Sequence, residues 1–450
     1  QRDHQASLPK KQMNFRQEAW STILKVFKDH DFSDTLLQQR ANKLKQSEES
    51  VALYYTLVKG VIKMRGKLDY ILSHHTDARK YAATDLKIKT LLYIGLYQLI
   101  YLDSIPEHAA VNETVELAKS ILSDSVADFI NAVLRNYLRH PEIVYPTDTI
   151  ERIAVEHSYP PDLITEWVKL WGPEDTEYLA IFFNENPELH IRVNATATNP
   201  QKLEQYFAKR DIMIEPSPAG KLMFKSRHAD KILADVAFSE GYFSVQDSSA
   251  AMVVDLLDPK EEQSVLDLFA APGGKCSFIA EKLNNTGEVI AVDKIPNKMK
   301  LLKQAADRLQ LTNIRLIVAD AFKYGPKAPA FDRVLVDAPC SGWGVLSRKA
   351  DLRWQVHQDI PELIKLQEKA LEHAAGFVKP EGYMVYSTCT MNPAENEDQV
   401  RKFLKENPKF QLVDASKYIP REYTENGCLK TIPFKHNMDG AFAAKFQKSR

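Results

Sequence analysis

Two cysteines stand at the ends of hydrophobic segments that are typical of buried β-strands. Cys340 ends DRVLVDAPC directly after a proline, and Cys389 follows YMVYST and lies between two threonines. A lone cysteine is usually a small buried hydrophobic residue, but two at adjoining strand ends favour catalytic use. A thiolate is soft and strongly nucleophilic, which suits attack on an electron-poor ring. We predict that both thiols share one active site, and from these residues alone either could attack.

The other two cysteines, Cys276 and Cys428, are predicted to be unreactive, the first in a turn and the second in a loop. None of the four forms a CxxC pair, so we expect no zinc site and no other bound metal. Apolar runs are too short to span a bilayer, and QRDHQASLPKKQ has no apolar core typical of a secretory signal. We therefore expect a cytoplasmic protein without membrane contact, in which disulfides are not expected.

A glycine-containing turn, FAAPGGKC, joins a predicted strand to a predicted helix. Gly273 and Gly274 let the backbone approach a ligand closely, and a helix N-terminus follows them. The spacing is neither GxGxxG nor the Walker pattern, both of which serve phosphates. It therefore favours a cofactor without phosphates, such as S-adenosylmethionine, over the alternative of a merely tight turn.

Acidic residues follow neighbouring strands of the same region. Asp293 ends the second strand, where a carboxylate accepts hydrogen bonds from ribose hydroxyls. Asp320 ends the third, where a carboxylate can accept from an adenine amino group, and Asp337 ends the fourth. The competing interpretation of each is a solvated carboxylate at a strand end.

From about residue 245, near-continuous apolar strands alternate with helices, which predicts a doubly wound parallel sheet. Ligands bind such sheets beyond the carboxyl ends of the strands, so the glycine turn, the acids and the cysteines should meet at one edge. The tail segments KFQLVDAS and GAFAAKFQ predict an added antiparallel pair.

The rest of the chain predicts two further domains. Residues 1 to about 140 have helical apolar spacing, 141–161 look like a proline-bearing linker, and 160–240 mix helices and strands. We therefore divide the chain into a helical bundle (1–145), a linker with a small α/β unit (146–240) and a sheet domain (241–450). This multidomain fold suits a length of 450 residues.

A net charge of −1 argues against a protein that coats nucleic acid, although local basic clusters are present. The competing interpretation is that these clusters are solvated helix or loop faces. The clusters comprise Lys59, Lys63, Arg65 and Lys67, then Arg135 and Arg139, then Arg348, Lys349 and Arg353.

Several motifs together resemble those of a known family. DLFAAPGGKC, DAPCSGWGVLSRKADLRW and YSTCTMNPAENE resemble the nucleotide-binding and two-cysteine motifs of the NOL1/NOP2/Sun family of RNA cytosine methyltransferases. LDSIPEHAAVNETVELAK and FINAVLRNYLR are similar to the NusB-like domain of family members that act on 16S rRNA, and RVNATATNPQKLEQYF and FSVQDSSA to their middle segment. The resemblance implies a NusB-like bundle, an RRM- or ferredoxin-like middle unit and a Rossmann-like methyltransferase domain.

The same resemblance implies roles for individual residues. Cys389 would be the nucleophile, Cys340 would assist product release, and Asp337 would face the target base. Asp293 would bind the ribose and Asp320 the adenine of S-adenosylmethionine. The other residues expected around this cofactor are Phe269, Ala270, Ala271, Pro272, Gly273, Gly274 and Lys275, with Asp337 nearby. The tail HNMDGAFAAKF is similar to the family's DGFFYAK pattern, with alanines replacing aromatics.

The expected reaction is methyl transfer from S-adenosylmethionine to carbon 5 of an unpaired or extruded cytosine in 16S rRNA, by a protein that we expect to be a monomer. One alternative is the same chemistry on transfer RNA or another rRNA site. A second is a non-catalytic RNA-binding or antitermination factor. A third is a DNA cytosine methyltransferase, which attacks from a Pro-Cys motif and would use Cys340.

Overall fold

The computed structural model describes residues 15–29, 32–41, 48–326, 330–355 and 359–450. The chain forms two compact units: Gln1–Asn184 with Lys349–Gln355, and Glu185–Arg348 with Val356–Arg450. Among the described residues, none of the helices is both long and apolar enough to cross a membrane. The division into three domains at residues 145 and 240 remains a prediction from the sequence.

Amphipathic helices build the first unit, which confirms the helical expectation for the described part of its first 140 residues. In the seventh helix, Ala127, Ile130 and Leu134 form the buried face, and the Ser123 side chain caps its first turn. The helices are α1 (Phe15–Asp29), α2 (Ser33–Ala41), α3 (Glu48–His74), α4 (Ala78–Ala82), α5 (Leu86–Tyr101), α6 (Glu107–Ile121), α7 (Asp124–Arg139), α8 (Thr149–His157) and α9 (Pro161–Asn184).

The predicted linker at 141–161 contains a helix that sequence reasoning missed. Asp148 caps α8 by accepting a hydrogen bond from the Glu151 backbone N–H at 2.9 Å. Prolines on both sides of this short helix hid its periodicity. In the next helix, α9, Gly172 adopts a positive φ of 80° and produces a kink.

Arg353, one residue of the third predicted basic cluster, does not lie on a solvated face. The Arg353 side chain is fully buried in the first unit and donates to the Ser158 carbonyl at 3.2 Å and to Asn184 Oδ1 at 3.0 Å. Next to it, Trp354 donates its indole N–H to the Ile62 carbonyl at 2.8 Å. This segment therefore packs as part of the helical core.

The second unit begins with a small antiparallel sheet whose strand order is β2-β3-β1-β4. With its helices it follows a βαββαβ sequence, the ferredoxin-like arrangement. Asn199 caps the first of these helices by accepting from the Lys202 N–H at 2.9 Å. The elements are β1 (Leu189–Val193), α10 (Pro200–Ala208), β2 (Glu215–Pro216), β3 (Met223–Ser226), α11 (Ala229–Ala234), α12 (Val236–Ser239) and β4 (Phe243–Val245).

The larger sheet confirms the predicted Rossmann-like architecture. Its path is β11-β12-β13-β9-β8-β5-β6-β7, with β10 also paired to β13. The elements are α13 (Ser248–Leu257), β5 (Ser264–Leu268), α14 (Gly274–Lys282), β6 (Glu288–Asp293), α15 (Pro296–Arg308), β7 (Ile314–Val318), β8 (Phe331–Asp337), α16 (Leu352–Gln355, part of the first unit), α17 (Ile360–Ala375), β9 (Val378–Thr388), α18 (Glu397–Glu406), β10 (Phe410–Val413), β11 (Thr424–Glu425), β12 (Cys428–Lys430), α19 (Pro433–His436) and β13 (Phe442–Lys448).

Strands β5 to β9 pair in parallel, so their carboxyl ends share one edge of the sheet. The predicted tail pair is present, because β10 and β13 are antiparallel, and β13 also pairs with β9. Cys428 lies in β12 rather than in the predicted loop. A strand of three residues is too short to show an alternating pattern.

Candidate active site

The glycine turn after β5 is shaped by backbone that only glycine adopts freely. Gly273 has a φ of +111°, and a Cβ atom there would lie 2.1 Å from Leu302 Cδ1. The turn is tied to the next strand, because the Ala270 N–H donates to the Val292 carbonyl at 3.0 Å. Helix α14 begins at Gly274, so its free N–H groups face the strand edge.

Lys275 and Asp337 form a bidentate ion pair beside this turn. The Lys275 ammonium lies 2.8 Å from each Asp337 oxygen, and Ser387 Oγ donates to Asp337 Oδ1 at 2.8 Å. Burial lowers the pKa of Lys275, but the interactions with Asp337 and then with Cys389 outweigh burial, so that the pKa of Lys275 is raised. The ammonium is therefore held charged beside the cysteines.

The two other predicted carboxylates are half-buried at neighbouring strand ends. Asp293 accepts from the Ala271 N–H at 3.3 Å and from the Ile295 N–H at 2.9 Å. Asp320 accepts from the Phe322 N–H at 3.0 Å. Each carboxylate has further acceptor positions, so these backbone bonds orient the side chains and leave capacity for a ligand.

The structure brings the two predicted cysteines into contact. Their Sγ atoms lie 3.3 Å apart, and the Cys389 N–H donates to the Cys340 sulfur at 3.3 Å. The hydrogen bond with Cys389, then burial, then the negative charges of Cys389 and Glu395 raise the pKa of Cys340. These influences disfavour the thiolate form of Cys340. Because Lys275 lies near Cys389, its positive charge favours the thiolate form there.

The remaining cysteines lie away from this contact and are buried. Burial raises the pKa of the Cys276 thiol well above its usual range, and raises that of Cys428 to about 12. Both environments suppress the thiolate, which agrees with the expectation that these residues are unreactive.

Sequence reasoning missed a buried acid in the quoted PAENE motif. Glu395 is fully buried and accepts from the Ser341 N–H at 2.8 Å and from Gln367 Nε2 at 3.0 Å. The sequence feature that could have revealed Glu395 is an acidic residue close to asparagines in the segment that follows Cys389. Such a residue is normally satisfied by local hydrogen bonds.

A second missed group of contacts connects the small sheet to the glycine turn after β5. Arg192 is fully buried and binds Glu281 through two nitrogens, at 2.6 and 3.2 Å. The same guanidinium donates to the Gly274 carbonyl at 3.1 Å and contacts the Gln246 side-chain oxygen. Arg192 was quoted only as part of the strand-like HIRVN.

A third missed group surrounds Arg348, one of the residues of the predicted basic clusters. Its guanidinium lies 3.2 Å from Asp247 and 3.1 Å from Asp439, whose side chains are 7% and 9% exposed. Asp439 belongs to the tail motif DGAFAAK. The next residue, Gly440, donates its N–H to the Gly344 carbonyl at 2.8 Å. The tail therefore forms a wall of the cysteine-bearing loop.

Two protein-family models match the chain. A model described as 16S rRNA methyltransferase RsmB/F matches residues 254–447, and a NusB-family model matches residues 13–139. These regions correspond to the larger sheet domain and the N-terminal helices.

Curated relatives extend over almost the whole chain. A probable ribosomal RNA small subunit methyltransferase B of Bacillus subtilis (strain 168) is 34% identical over 97% of this chain and 99% of that protein. A probable ribosomal RNA small subunit methyltransferase B of Synechocystis sp. is 33% identical, covering 96% of this chain and 99% of that one. A ribosomal RNA small subunit methyltransferase B of Yersinia pseudotuberculosis is 32% identical, covering 89% of this chain and 91% of that protein.

Solved structures share the fold. PH0851 superposes with a TM-score of 0.82 at 24% identity and covers 98% of this chain and 100% of its own. A methyltransferase homolog protein from Pyrococcus horikoshii has a TM-score of 0.58 at 26% identity, covering 67% of this chain and 100% of that one.

Proposed function

Because the chain belongs to the RsmB/F family of 16S rRNA methyltransferases, we propose that it methylates carbon 5 of a cytosine in 16S rRNA through a covalent adduct on Cys389. The observation that carries this proposal is the contact between the two sulfurs, 3.3 Å apart, beside the Lys275–Asp337 ion pair. Two thiols in contact, with an ammonium close to Cys389, suit attack by one and proton handling by the other.

S-adenosylmethionine fits the residues at the strand edge. The space beside Gly274 is open, because a Cβ atom placed there would have Gln246 Nε2, at 3.7 Å, as its nearest neighbour. The remaining acceptor capacity of Asp293 and Asp320 suits ribose hydroxyls and an amino group. Residues 269–275 would hold the rest of the molecule. When bound, this cofactor supplies an electrophilic methyl group.

Cys389 begins the reaction by attacking the ring. Its thiolate forms a bond to carbon 6 of the cytosine, and the electrons of the 5,6 double bond make carbon 5 nucleophilic enough to take the methyl group. Lys275 favours the thiolate. The Asp337 carboxylate accepts a hydrogen bond from the amino group of the base, and one from the ring nitrogen when that nitrogen is protonated during the attack. A base inside a helix cannot reach such a site, so the cytosine must be unpaired or extruded.

Cys340 completes the reaction by assisting release. The proton on carbon 5 is removed by a base that Cys340 positions, or by Cys340 itself after its own thiol proton has passed to solvent. The electron pair of that C–H bond restores the 5,6 double bond, and the Cys389–carbon 6 bond breaks to return the thiolate. Covalent catalysis thereby divides one difficult substitution into easier steps.

Two cysteine variants test these roles. Cys389→Ala should abolish methyl transfer and prevent any protein–RNA adduct on denaturing gels. Cys340→Ala should attack normally but fail to release, so that an adduct accumulates. Full activity of Cys389→Ala would refute the proposal, and loss of adduct formation in Cys340→Ala would reverse the two roles.

The RNA target is tested separately from the chemistry. Bisulfite sequencing of total RNA from a strain lacking the protein should show loss of one protected cytosine in 16S rRNA. Complementation with the wild-type gene should restore it, and complementation with the Cys389→Ala variant should not. Loss of a site in transfer RNA alone would refute the 16S assignment.

A further inference from the structure

The carboxylate of Glu395 is surrounded by four neutral hydrogen-bond donors. Its Oε1 accepts from the Ser341 N–H at 2.8 Å and from Gln367 Nε2 at 3.0 Å. Its Oε2 accepts from the Ser341 hydroxyl and from Asn392 Nδ2, the latter at 3.1 Å. An ionised carboxylate has about four acceptor positions, so these donors satisfy a buried anion without neutralising its charge.

On one side, this carboxylate fixes the segment that carries Cys340. Ser341 follows Cys340 directly and gives Glu395 both its N–H and its hydroxyl. Gln367 uses the same amide nitrogen to reach Glu395 and the Pro339 carbonyl, which it contacts at 2.9 Å. Cys340 is therefore held through the residues on both sides of it.

On the other side, Glu395 fixes the segment that carries Cys389. Asn392 lies three residues after Cys389 and donates to the carboxylate. The Tyr386 hydroxyl, from the same strand that leads to Cys389, donates to the Glu395 main-chain carbonyl at 2.6 Å. Removing this carboxylate would release both segments from their common anchor.

The charge of Glu395 also acts on Cys340. After the hydrogen bond with Cys389 and burial, the charges of Cys389 and Glu395 raise the pKa of Cys340. Once Cys389 is bonded to a base it is a thioether, and its charge is lost, which leaves burial and Glu395. The titratable and charged groups around the cysteine pair include Glu395, Tyr386, Lys275, Asp337 and Asp439.

We propose that Glu395 is a positioning residue that holds Cys340 against Cys389 and keeps Cys340 as the neutral thiol while Cys389 attacks. This inference rests on the proposed covalent function. Two thiolates in contact would repel each other, since a like charge disfavours ionisation of its neighbour. The negative charge of Glu395 disfavours a second negative charge on Cys340 while Cys389 is ionised.

The test measures the reactivity of Cys340 in the Cys389→Ala variant of the full-length protein. Alkylation by iodoacetamide is followed at the Cys340 peptide by mass spectrometry from about pH 6 to about pH 10, and the midpoint should lie above the ordinary thiol value of about 8.5. Adding Glu395→Gln should lower the midpoint and speed alkylation several-fold at about pH 8. Adding Glu395→Asp, which keeps the charge, should preserve the high midpoint.

Glu397→Gln is the matched control, because it makes the same substitution in the same motif. Glu397 pairs with Lys430 at 2.9 Å and does not contribute to the shift of Cys340, so the midpoint should stay unchanged. An unchanged midpoint in Glu395→Gln overturns the inference.

The inference also has a test that needs no Glu395 variant. A midpoint at or below the ordinary thiol value in Cys389→Ala alone overturns it, even if Glu395→Gln does not fold. This measurement involves no RNA, so its failure is distinct from that of the proposed reaction, which the adduct assays test.

Discussion

The ammonium of Lys275 lies 2.8 Å from both carboxylate oxygens of Asp337. This ion pair joins the glycine turn after β5 to the end of β8. This pair connects the methyl-donor side of the proposed site to the side that faces the base. The charge of Lys275 also interacts with Cys389. The same ammonium therefore pairs with Asp337 and interacts with Cys389, the two residues that the proposed reaction places at the cytosine.

Replacing Lys275 with alanine should reduce single-turnover methyl transfer by about 10²- to 10³-fold, the usual effect of removing one preorganised charge-stabilising donor. Lys282→Ala is the matched control, because Lys282 lies in the same helix and pairs with Asp255 at 2.6 Å, away from the cysteines. Rates for Lys275→Ala within twofold of the wild type would contradict the assigned role.

The parallel sheet was predictable because buried strands are near-continuous apolar runs. Since that topology places strand ends together, Cys340, Cys389 and Asp337 were recognised before any contact was known. The hairpin of β11 and β12 was missed because each strand has only two or three residues.

The supporting contacts of the site were not predictable for a different reason. Gly344 donates to the Cys389 carbonyl at 3.0 Å and accepts from Gly440 at 2.8 Å. A Cβ at Gly344 would lie 2.0 Å from the Gly440 carbonyl oxygen. This close approach joins segments that are far apart in sequence, and local periodicity carries no information on such pairs.

Arg192→Lys should weaken binding of S-adenosylmethionine. Lysine lacks the planar fork that lets Arg192 bind Glu281 and the Gly274 carbonyl together. Isothermal titration should give a higher Kd, whereas Arg210→Lys, at a partly exposed guanidinium stacked on Tyr206, should not change it. An unchanged Kd with a lowered melting temperature would mean that the Arg192 network stabilises the fold without shaping the glycine turn.

Arg348→Ala should destabilise the second unit, because it leaves the ionised Asp247 and the carboxyl group of Asp439 without the guanidinium that both contact. Breaking such a network by removing one partner costs about 3–5 kcal/mol. Adding Asp439→Asn should restore part of the loss, which a double-mutant cycle in urea unfolding would measure. Strictly additive effects would contradict the coupling. Arg401→Ala, at an exposed surface pair, is the control.

Asp439 also predicts a dependence of stability on pH. Burial, then Asp247, raises its pKa to about 8 in the folded protein, against an ordinary value of 3.8. Between these values the folded state binds the extra proton, so the contribution of Asp439 to stability falls as the pH rises. Relative to wild type, Asp439→Asn should therefore gain stability from about pH 5 to about pH 8. A difference that does not vary with pH would contradict the shift.

Lys445 predicts a dependence of stability on pH of the opposite sign, in a more alkaline pH range. It is buried in β13, with its ammonium 3.4 Å from the centroid of the Tyr418 ring. Burial, then the charge of Arg333, lowers its pKa from 10.5 to about 7. Between those values the unfolded chain binds more protons, so the contribution of Lys445 to stability rises with pH and is weakest below about pH 7.

Lys445→Met should therefore stabilise the protein most at and below about pH 7, because methionine retains an apolar stem of similar length without a charge to desolvate. The advantage over wild type should shrink steadily as the pH approaches 10.5, the ordinary lysine value. Urea unfolding at several pH values measures this difference, and Lys409→Met, at an exposed position, is the control. A stability difference that is constant with pH, or that grows as the pH rises, would show that Lys445 remains protonated in the folded protein.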